Sequence, residues 1–125
     1  MLDTDVLIDF QRQYPTALQW FASLPEIPHV AGFVAMELLQ DARDRDELKR
    51  SLKLLATLRL IWPTEPECGH ALYLFSKYHL SHHLGIIDAF LAAIALSHQA
   101  DLCTFNVKHY RCVPGLSLRK PYIKR

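Results

Sequence analysis

The feature that most constrains this chain is the apolar run 85–96, which a single charged residue, Asp88, interrupts. A helix that is hydrophobic on all of its faces is normally buried inside the protein. Burying an unpaired carboxylate is costly, so such a residue normally pairs with another group or binds a metal ion. The run therefore predicts a buried helix whose Asp88 side chain has a partner.

Acidic residues interrupt apolar sequence at two further places. Asp3 and Asp5 flank Thr4 directly before the apolar residues 6–8, and Glu37 lies inside the apolar segment 32–39. Together with Asp88, these residues predict one acidic metal site at the centre of a small domain. Carboxylate-rich sites with few soft ligands suit Mg²⁺ or Mn²⁺. Such ions polarise a phosphodiester and activate a bound water for attack.

Length and composition limit the possible classes of protein. The chain has 125 residues, of which 50% are hydrophobic, and its formal net charge is +1. A chain of this size is most simply a single domain, 1–125, and its weak net charge excludes a global basic field. The three cysteines show no Cys-x-x-Cys spacing, which argues against a disulfide framework or a zinc ribbon. With no signal-peptide pattern and no membrane-spanning run, we expect a cytoplasmic protein without membrane contact.

Strand and helix patterns alternate along the chain. The helices predicted between the strands include one from about Glu67 to Leu80. Asp3, Thr4 or Asp5 is expected to cap the first helix. The charged run 41–47 is expected to be solvated. Alternation of this kind predicts an α/β fold with a parallel sheet covered by helices. The five candidate strands are 1–3, 29–31, 60–62, 101–104 and 116–118.

The first candidate strand is short, because Thr4 already belongs to the following helix. We therefore expect that the natural chain starts a few residues upstream, or that this strand is unusually short. In parallel α/β sheets, ligands bind outside the carboxyl ends of the strands. Asp3 and Asn106 directly follow two of the predicted strand ends.

Four segments in this order and spacing resemble a PIN domain, and the chain's length and its closing segment 113–118 are similar to a VapC-type toxin. The resemblance covers essentially the whole chain. It implies a small parallel sheet in the order 3-2-1-4-5, surrounded by helices. It also implies a Mg²⁺- or Mn²⁺-dependent endoribonuclease, the toxin of a toxin–antitoxin pair, which dimerises and is inhibited by a cognate antitoxin. The four segments are 2–8, 36–39, 88–95 and 104–110.

The resemblance also implies roles for individual residues. The chain departs from the family pattern at Asp5, where Asn or Ser is usual, and at His109, where many members carry Asp. Because a fourth acidic position is therefore missing, one bound ion is a safer expectation than two. The implied catalytic residues are Asp3, Glu37, Asp88 and Asn106, of which the first three would hold the metal; the supporting residues are Thr4, Asp5 and Thr104.

RNA contacts are expected from local groups of basic residues, although each group also has a simpler interpretation. The basic residues between positions 43 and 53 can form a solvated helix face, and the basic C-terminal tail can be a solubilising end. Asp9 is expected to be a helix-surface charge, and His79, His82 and His83 to be exposed loop residues rather than zinc ligands. The candidate RNA-binding residues are Arg43, Arg45, Lys49 and His109, and the tail residues are Arg119, Lys120, Lys124 and Arg125.

Simpler interpretations and rival functions remain open at this point. Asp88 can be a first-turn acid that stabilises a helix, and Asn106 can be a turn or cap residue. The missing fourth carboxylate favours a non-catalytic PIN module that binds RNA or a protein. A haloacid-dehalogenase-type phosphatase also begins with Asp-x-Asp after a strand, but this chain has Leu7 where that class usually has Thr.

Overall fold

The computed structural model describes residues 1–124, which form helices around short parallel strands. Within those residues, no helix is both long and apolar enough to cross a membrane. The strands are β1 (His29–Ala31), β2 (Arg59–Ile61), β3 (Leu102–Cys103) and β4 (Leu118–Arg119). The helices are α1 (Thr4–Gln11), α2 (Pro15–Ser23), α3 (Gly32–Gln40), α4 (Arg45–Ala56), α5 (Glu65–His82), α6 (Ile86–His98) and α7 (Val107–Tyr110).

The strands pair as two parallel two-stranded units, β1 with β2 and β3 with β4. Residues 1–3, predicted as a strand, form only an isolated parallel bridge between Leu2 and Cys103. The Leu2 amide donates to the His29 carbonyl at 3.0 Å, and the Cys103 amide donates to the Met1 carbonyl at 2.8 Å. The N-terminal residues thus connect the two units. The α/β class with parallel strands is confirmed, whereas the continuous order 3-2-1-4-5 stays a prediction.

The apolar helix α6 is buried, as its sequence predicts. Ala89 and the residues 91–95 are all buried, and α6 packs along α5. Asp88, in the first turn of α6, differs from the prediction because its side chain is 19% exposed. Its Oδ2 accepts a hydrogen bond from the Gly85 amide at 2.9 Å, so it also stabilises the start of the helix. Asp88 therefore acts as a first-turn acid that stabilises the helix, as its simpler interpretation predicts.

Helix starts show where local sequence reasoning was incomplete. Asp3, rather than Thr4 or Asp5, caps α1, because its Oδ1 accepts from the Thr4 amide at 2.7 Å. A reciprocal capping box between Thr64 and Glu67 starts α5. This capping places the start of α5 at Glu65, two residues before the predicted start.

The step from β1 into α3 occurs at Gly32. A Cβ atom at this position would overlap the indole ring of Trp62, which covers the glycine from the end of β2. A larger residue would therefore displace this ring, since Trp62 is 59% exposed. The start of α3 at Gly32, directly after β1, sets the position of Glu37 one and a half turns later.

The charged run 41–47 is not fully solvated, contrary to expectation. Glu47 is only 3% exposed, and its carboxylate binds the Arg43 guanidinium and lies 3.4 Å from Arg12 Nε. The Arg43 side chain and amide donate to Glu47 and lower its pKa from 4.5 to about 2. The ion pair holds the start of α4 against the end of α1.

We predict that Glu47→Gln lowers the melting temperature at pH 7 and that the difference from the wild type disappears in acid. A carboxylate with a lowered pKa stabilises the fold above its unfolded pKa, and that contribution is lost as the pH falls from about 4.5 towards 2. Thermal unfolding between pH 7 and pH 2 measures this. The exposed Glu65→Gln is the control; a pH-independent difference for Glu47→Gln would contradict the assignment.

Candidate acidic active site

The candidate site lies where several chain segments meet at the carboxyl ends of the N-terminal bridge, β1 and β3. The start of α1 supplies Asp3, Thr4 and Asp5, and α3 supplies Glu37. The turn after β3 supplies Thr104 and Asn106. The first turn of α6 supplies Asp88, and α7 supplies His109 and Tyr110. The segments that the sequence predicted to meet at one edge do meet there.

Asp3 is the most constrained residue of this site. It is 8% exposed, and its Oδ1 accepts from the Thr4 amide at 2.7 Å. Its Oδ2 accepts from the Thr104 hydroxyl at 2.9 Å and from the Tyr110 hydroxyl at 3.1 Å. These three donors fix the carboxylate plane and connect the start of α1 to residues a hundred positions later.

Tyr110 is a site residue that sequence reasoning did not identify. It is fully buried at the end of α7 and donates to Asp3. Burial, and then the charges of Asp3 and Asp88, raise the pKa of Tyr110 well above its ordinary value. The phenol therefore stays protonated and acts as a donor. Its neighbours Lys108, His109 and Arg111 are polar, so the local sequence carried no sign that this tyrosine is buried. A buried Tyr hydroxyl normally needs a polar partner.

The carboxylates of this site repel one another. Burial raises the pKa of Asp3, three hydrogen-bond donors oppose that rise, and the nearby charge of Asp88 adds to it. Burial and the charge of Asp3 raise the pKa of Asp5 to about 6. A carboxyl group whose pKa is higher in the folded state than in the unfolded state destabilises the fold while it is charged. A cation placed among these carboxylates would relieve that repulsion.

Asp5 has one satisfied and one unsatisfied oxygen. Its Oδ2 accepts from the Phe105 amide at 3.0 Å, with the Thr104 hydroxyl at 3.4 Å. Its buried Oδ1 has no hydrogen-bond partner within residues 1–124. An unpartnered buried carboxylate oxygen is costly unless another group reaches it.

Glu37 joins the site through Thr4. The Thr4 hydroxyl donates to Glu37 Oε1 at 2.7 Å, while its amide donates to Asp3. Thr4 therefore connects two of the predicted metal carboxylates through one residue, and this contact supports its predicted supporting role. Glu37 is half-buried at the edge of α3.

His109, which departs from the family pattern, contacts Asn106 and lies near Asp88. His109 Nδ1 lies 2.7 Å from Asn106 Nδ2 and 3.7 Å from Asp88 Oδ2. The backbone N–H of Asn106 also donates to the Thr104 hydroxyl at 3.0 Å. The structure thus brings the predicted residues Asn106 and His109 to the edge of the acidic site next to Asp88.

The donor set fits a hard divalent cation, although the side chains are not gathered into a ligand sphere. Carboxylates with hydroxyl and amide neighbours are the ligands that Mg²⁺ and Mn²⁺ prefer. The unpartnered Oδ1 of Asp5 and the repulsion between Asp3 and Asp88 both favour a cation. Within residues 1–124, however, no three His, Cys, Asp or Glu side chains are arranged to hold a metal ion. The side chains thus have suitable ligand chemistry. Two of the predicted ligands, Asp3 and Glu37, both accept hydrogen bonds from Thr4.

The other predicted basic and histidine residues lie apart from these contacts. Arg43 pairs with Glu47, and Arg45 and Lys49 are exposed on α4, so none of them has a hydrogen bond or ion pair with the site carboxylates within residues 1–124. The three histidines expected in a loop are exposed, but His79 and His82 belong to α5 and His83 is its C-cap. Of the basic tail, Arg125 lies outside the described residues.

A comparison with protein-family models matches residues 1–112 to the PIN domain. The chain belongs to the PIN-domain family. The match includes every predicted catalytic residue and the Asn106–His109 contact. The predicted PIN fold is therefore confirmed. A comparison with curated protein sequences gives no match.

Solved structures support the same assignment for this PIN domain. A toxin–antitoxin complex from Klebsiella pneumoniae matches with 26% identity and a TM-score of 0.80, over 97% of this chain and 96% of that chain. VapBC2 from Rickettsia felis, bound to a promoter DNA fragment, matches with 21% identity and a TM-score of 0.75, over 95% and 96%. VapBC-1 from nontypeable Haemophilus influenzae matches with 21% identity and a TM-score of 0.73, over 97% and 96%. The resemblance to VapC-type toxins is therefore confirmed.

We predict that Tyr110→Phe lowers the free energy of unfolding by about 1–3 kcal/mol, because it removes a donor from a buried charged acceptor. Urea unfolding at pH 7 measures the change. Tyr73→Phe is the matched control, because Tyr73 is 54% exposed on α5. Equal effects of the two substitutions would refute the proposed contribution of the Tyr110 hydroxyl.

Proposed function

We propose that this PIN domain is a Mg²⁺- or Mn²⁺-dependent endoribonuclease that acts as the toxin of a toxin–antitoxin pair. The observation that carries the proposal is the hydrogen-bonded carboxylate cluster: Asp3 is buried, Thr4 joins it to Glu37, and Asp5 Oδ1 has no partner within residues 1–124. Carboxylates arranged in this way are unfavourable unless a cation offsets their charge. Membership of the PIN family adds the expectation of nuclease chemistry.

In this proposal Asp3, Glu37 and Asp88 hold the ion. When bound, the ion would polarise the attacked phosphodiester and lower the pKa of a bound water. Thr104 and Tyr110 keep the Asp3 carboxylate in a fixed orientation through their hydroxyl groups. Such preorganisation avoids reorganisation of the site during the reaction.

The remaining residues act at the periphery of the reaction. Thr4 orients Glu37 through the hydrogen bond to Oε1. Asn106 and His109 can donate hydrogen bonds to the RNA backbone from the side of Asp88. Arg43, Arg45 and Lys49 remain candidate RNA contacts on α4, although Arg43 must share its guanidinium with Glu47.

The alternative is a PIN module that binds RNA or a protein without cleavage. The observation that favours it is the Asn106–His109 pair, which takes the place of a fourth acidic residue. Such a module would keep RNA binding but show no metal-dependent hydrolysis. Asp3 and Asp88 would then destabilise the protein without serving a reaction.

We further propose that a cognate antitoxin binds a groove between α2 and α4. This cavity has a volume of about 620 Å³ and is lined by apolar side chains that include Leu18, Phe21, Ile27 and Leu58. Arg50 and Lys53 line it as well. An amphipathic helix with some acidic residues would fit such a groove. The similarity to a toxin–antitoxin complex from Klebsiella pneumoniae supports an antitoxin as the partner.

We also propose that the protein forms a homodimer. Several large apolar residues outside the groove are exposed, among them Leu72 at 70%, Leu80 at 90% and Trp62 at 59%. Exposed apolar residues of this size are common at protein interfaces. Sedimentation equilibrium of the isolated protein distinguishes a dimer from a monomer.

A cytoplasmic location would follow from the RNA substrate and the antitoxin.

We predict that the purified protein, free of antitoxin, cleaves RNA with Mg²⁺ or Mn²⁺ and loses activity in excess EDTA. Asp88→Asn should lower the cleavage rate at least about 100-fold, because it removes a charge that would hold the ion. A mixed pool of RNA resolved by electrophoresis gives the readout. Asp46→Asn, an exposed acid on α4, is the matched control and should cleave like the wild type.

Three outcomes of this experiment distinguish the proposals. Discrete fragments that require metal and Asp88 support the endoribonuclease. Equal cleavage by the wild type and Asp88→Asn would mean a contaminating nuclease or a misplaced site. RNA binding without cleavage under any metal condition would favour the non-catalytic module.

We predict that Leu18→Asp prevents co-purification of the antitoxin without reducing RNA cleavage by the isolated protein. Leu18 lines the groove and is 37% exposed, so a carboxylate there is tolerated by the fold but not by an apolar partner. Co-expression with the candidate antitoxin, followed by affinity purification, provides the measurement. Leu80→Asp, outside the groove, is the control; loss of the partner in both variants would argue against the groove.

A further inference from the structure

Asp9 is not a helix-surface charge, contrary to the sequence-based expectation. Its side chain is 13% exposed. Tyr122 donates its hydroxyl to Asp9 Oδ2 at 2.7 Å, and Lys124 Nζ lies 3.1 Å from Asp9 Oδ1. Both partners come from the C-terminal segment, 113 and 115 positions later. This segment is therefore bound to α1 rather than extending into solvent.

Aromatic packing fixes the same segment from its other side. The Tyr122 ring lies 5.0 Å from the Phe105 ring and 6.1 Å from the rings of Trp20 and Tyr14. Edge-on and tilted aromatic pairs at such distances are favourable. Lys124 then places its ammonium group 4.6 Å from the centre of the Phe105 ring. The ammonium group thus has a defined position set by Asp9 and Phe105.

This position adjoins the acidic site. Phe105 follows Thr104, and its amide donates to Asp5 Oδ2 at 3.0 Å. The charge of Lys124 reaches Asp5, where it opposes the rise in pKa that burial causes. Lys124 therefore supplies a fixed positive charge at the rim of the carboxylate cluster.

An acidic centre repels the polyanionic RNA that it is proposed to cleave. Proteins that bind single-stranded nucleic acid combine cations along the backbone path with aromatic residues. Lys124 is 46% exposed and rests on an aromatic ring. Asp9 holds the ammonium in place beforehand, so less side-chain freedom is lost when a phosphate binds.

We propose that Lys124 is an RNA-backbone contact that binds a phosphate next to the one positioned at the acidic site. The contact rests on the proposed function, since it assumes that RNA is the substrate. Asp9 acts as a positioning residue for Lys124, and Tyr122 anchors the segment that carries both contacts. This assignment places one wall of the RNA path along α1 and the C-terminal segment.

The test is RNA binding measured by fluorescence anisotropy with a labelled single-stranded RNA, in EDTA and at several salt concentrations. EDTA removes cleavage, so binding is measured separately from the nuclease reaction. Lys124→Met should weaken binding about three- to tenfold and lower the slope of log affinity against log salt by about 0.7, the loss of one phosphate contact. Lys124→Arg should restore most of the affinity.

Two matched variants make the result specific. Lys120→Met removes the same charge from the same segment and should change binding less than twofold. The Lys120 side chain is exposed and has no hydrogen bond or ion pair within residues 1–124, whereas Lys124 pairs with Asp9. Asp9→Asn frees the ammonium from its carboxylate partner, so its salt slope should stay at the wild-type value. Melting temperatures of all variants identify any loss of folding.

Equal affinity and equal salt slope for Lys124→Met and Lys120→Met would overturn the proposal. So would a Lys124→Met effect on melting temperature alone, since it would assign the residue a purely structural role. The nuclease assignment is tested separately, because metal-dependent cleavage by the wild type is read without these variants. Lost cleavage with intact Lys124-dependent binding would reject the enzyme and keep the contact.

Discussion

The carboxylate of Asp3 is the group on which the organisation of this molecule depends. It lies where the N-terminal residues bridge the two strand pairs, and it accepts hydrogen bonds from Thr4, Thr104 and Tyr110. Each donor belongs to a different segment, so one buried charge determines how α1, the turn after β3 and α7 meet. Hydrogen bonds to a buried charged group are stronger than neutral ones, and losing one leaves the charge exposed to an apolar environment. The same residue is therefore important both for the fold and for the proposed chemistry.

Such an arrangement has an energetic consequence for the rest of the protein. Asp3 and Asp5 raise the free energy of the folded state, because burial and neighbouring negative charge raise the pKa of each carboxyl group. Elsewhere the chain contains interactions that offset this, such as the buried Glu47 with its arginine partners and the all-apolar packing of α6. A site that is unfavourable on its own and supported by its surroundings is what a cation-binding centre requires. The fold stabilises the carboxylates in place, and a cation would relieve the remaining repulsion.

Local patterns in the sequence predicted much of this structure, and long-range pairing explains what they missed. The burial of α6 followed from its composition, and the three acidic segments followed from single charges in apolar sequence. Tyr110 was missed because its partner Asp3 lies 107 positions away, and Asp9 because its partners Tyr122 and Lys124 are equally distant. Glu47 looked solvated among charged neighbours, although two arginines allow it to be buried. The N-terminal segment was predicted as a strand, but it forms only an isolated bridge between Leu2 and Cys103.

The residues at 106 and 109 show how the chain limits the charge of its own site. A carboxylate at position 109 would stand near Asp88, whose Oδ2 is already 3.7 Å from the imidazole. Like charges at that separation would raise the cost of folding further. An imidazole paired with the Asn106 amide instead supplies hydrogen-bonding groups without adding negative charge. The site thus keeps its polar outline near Asp88 without a further negative charge.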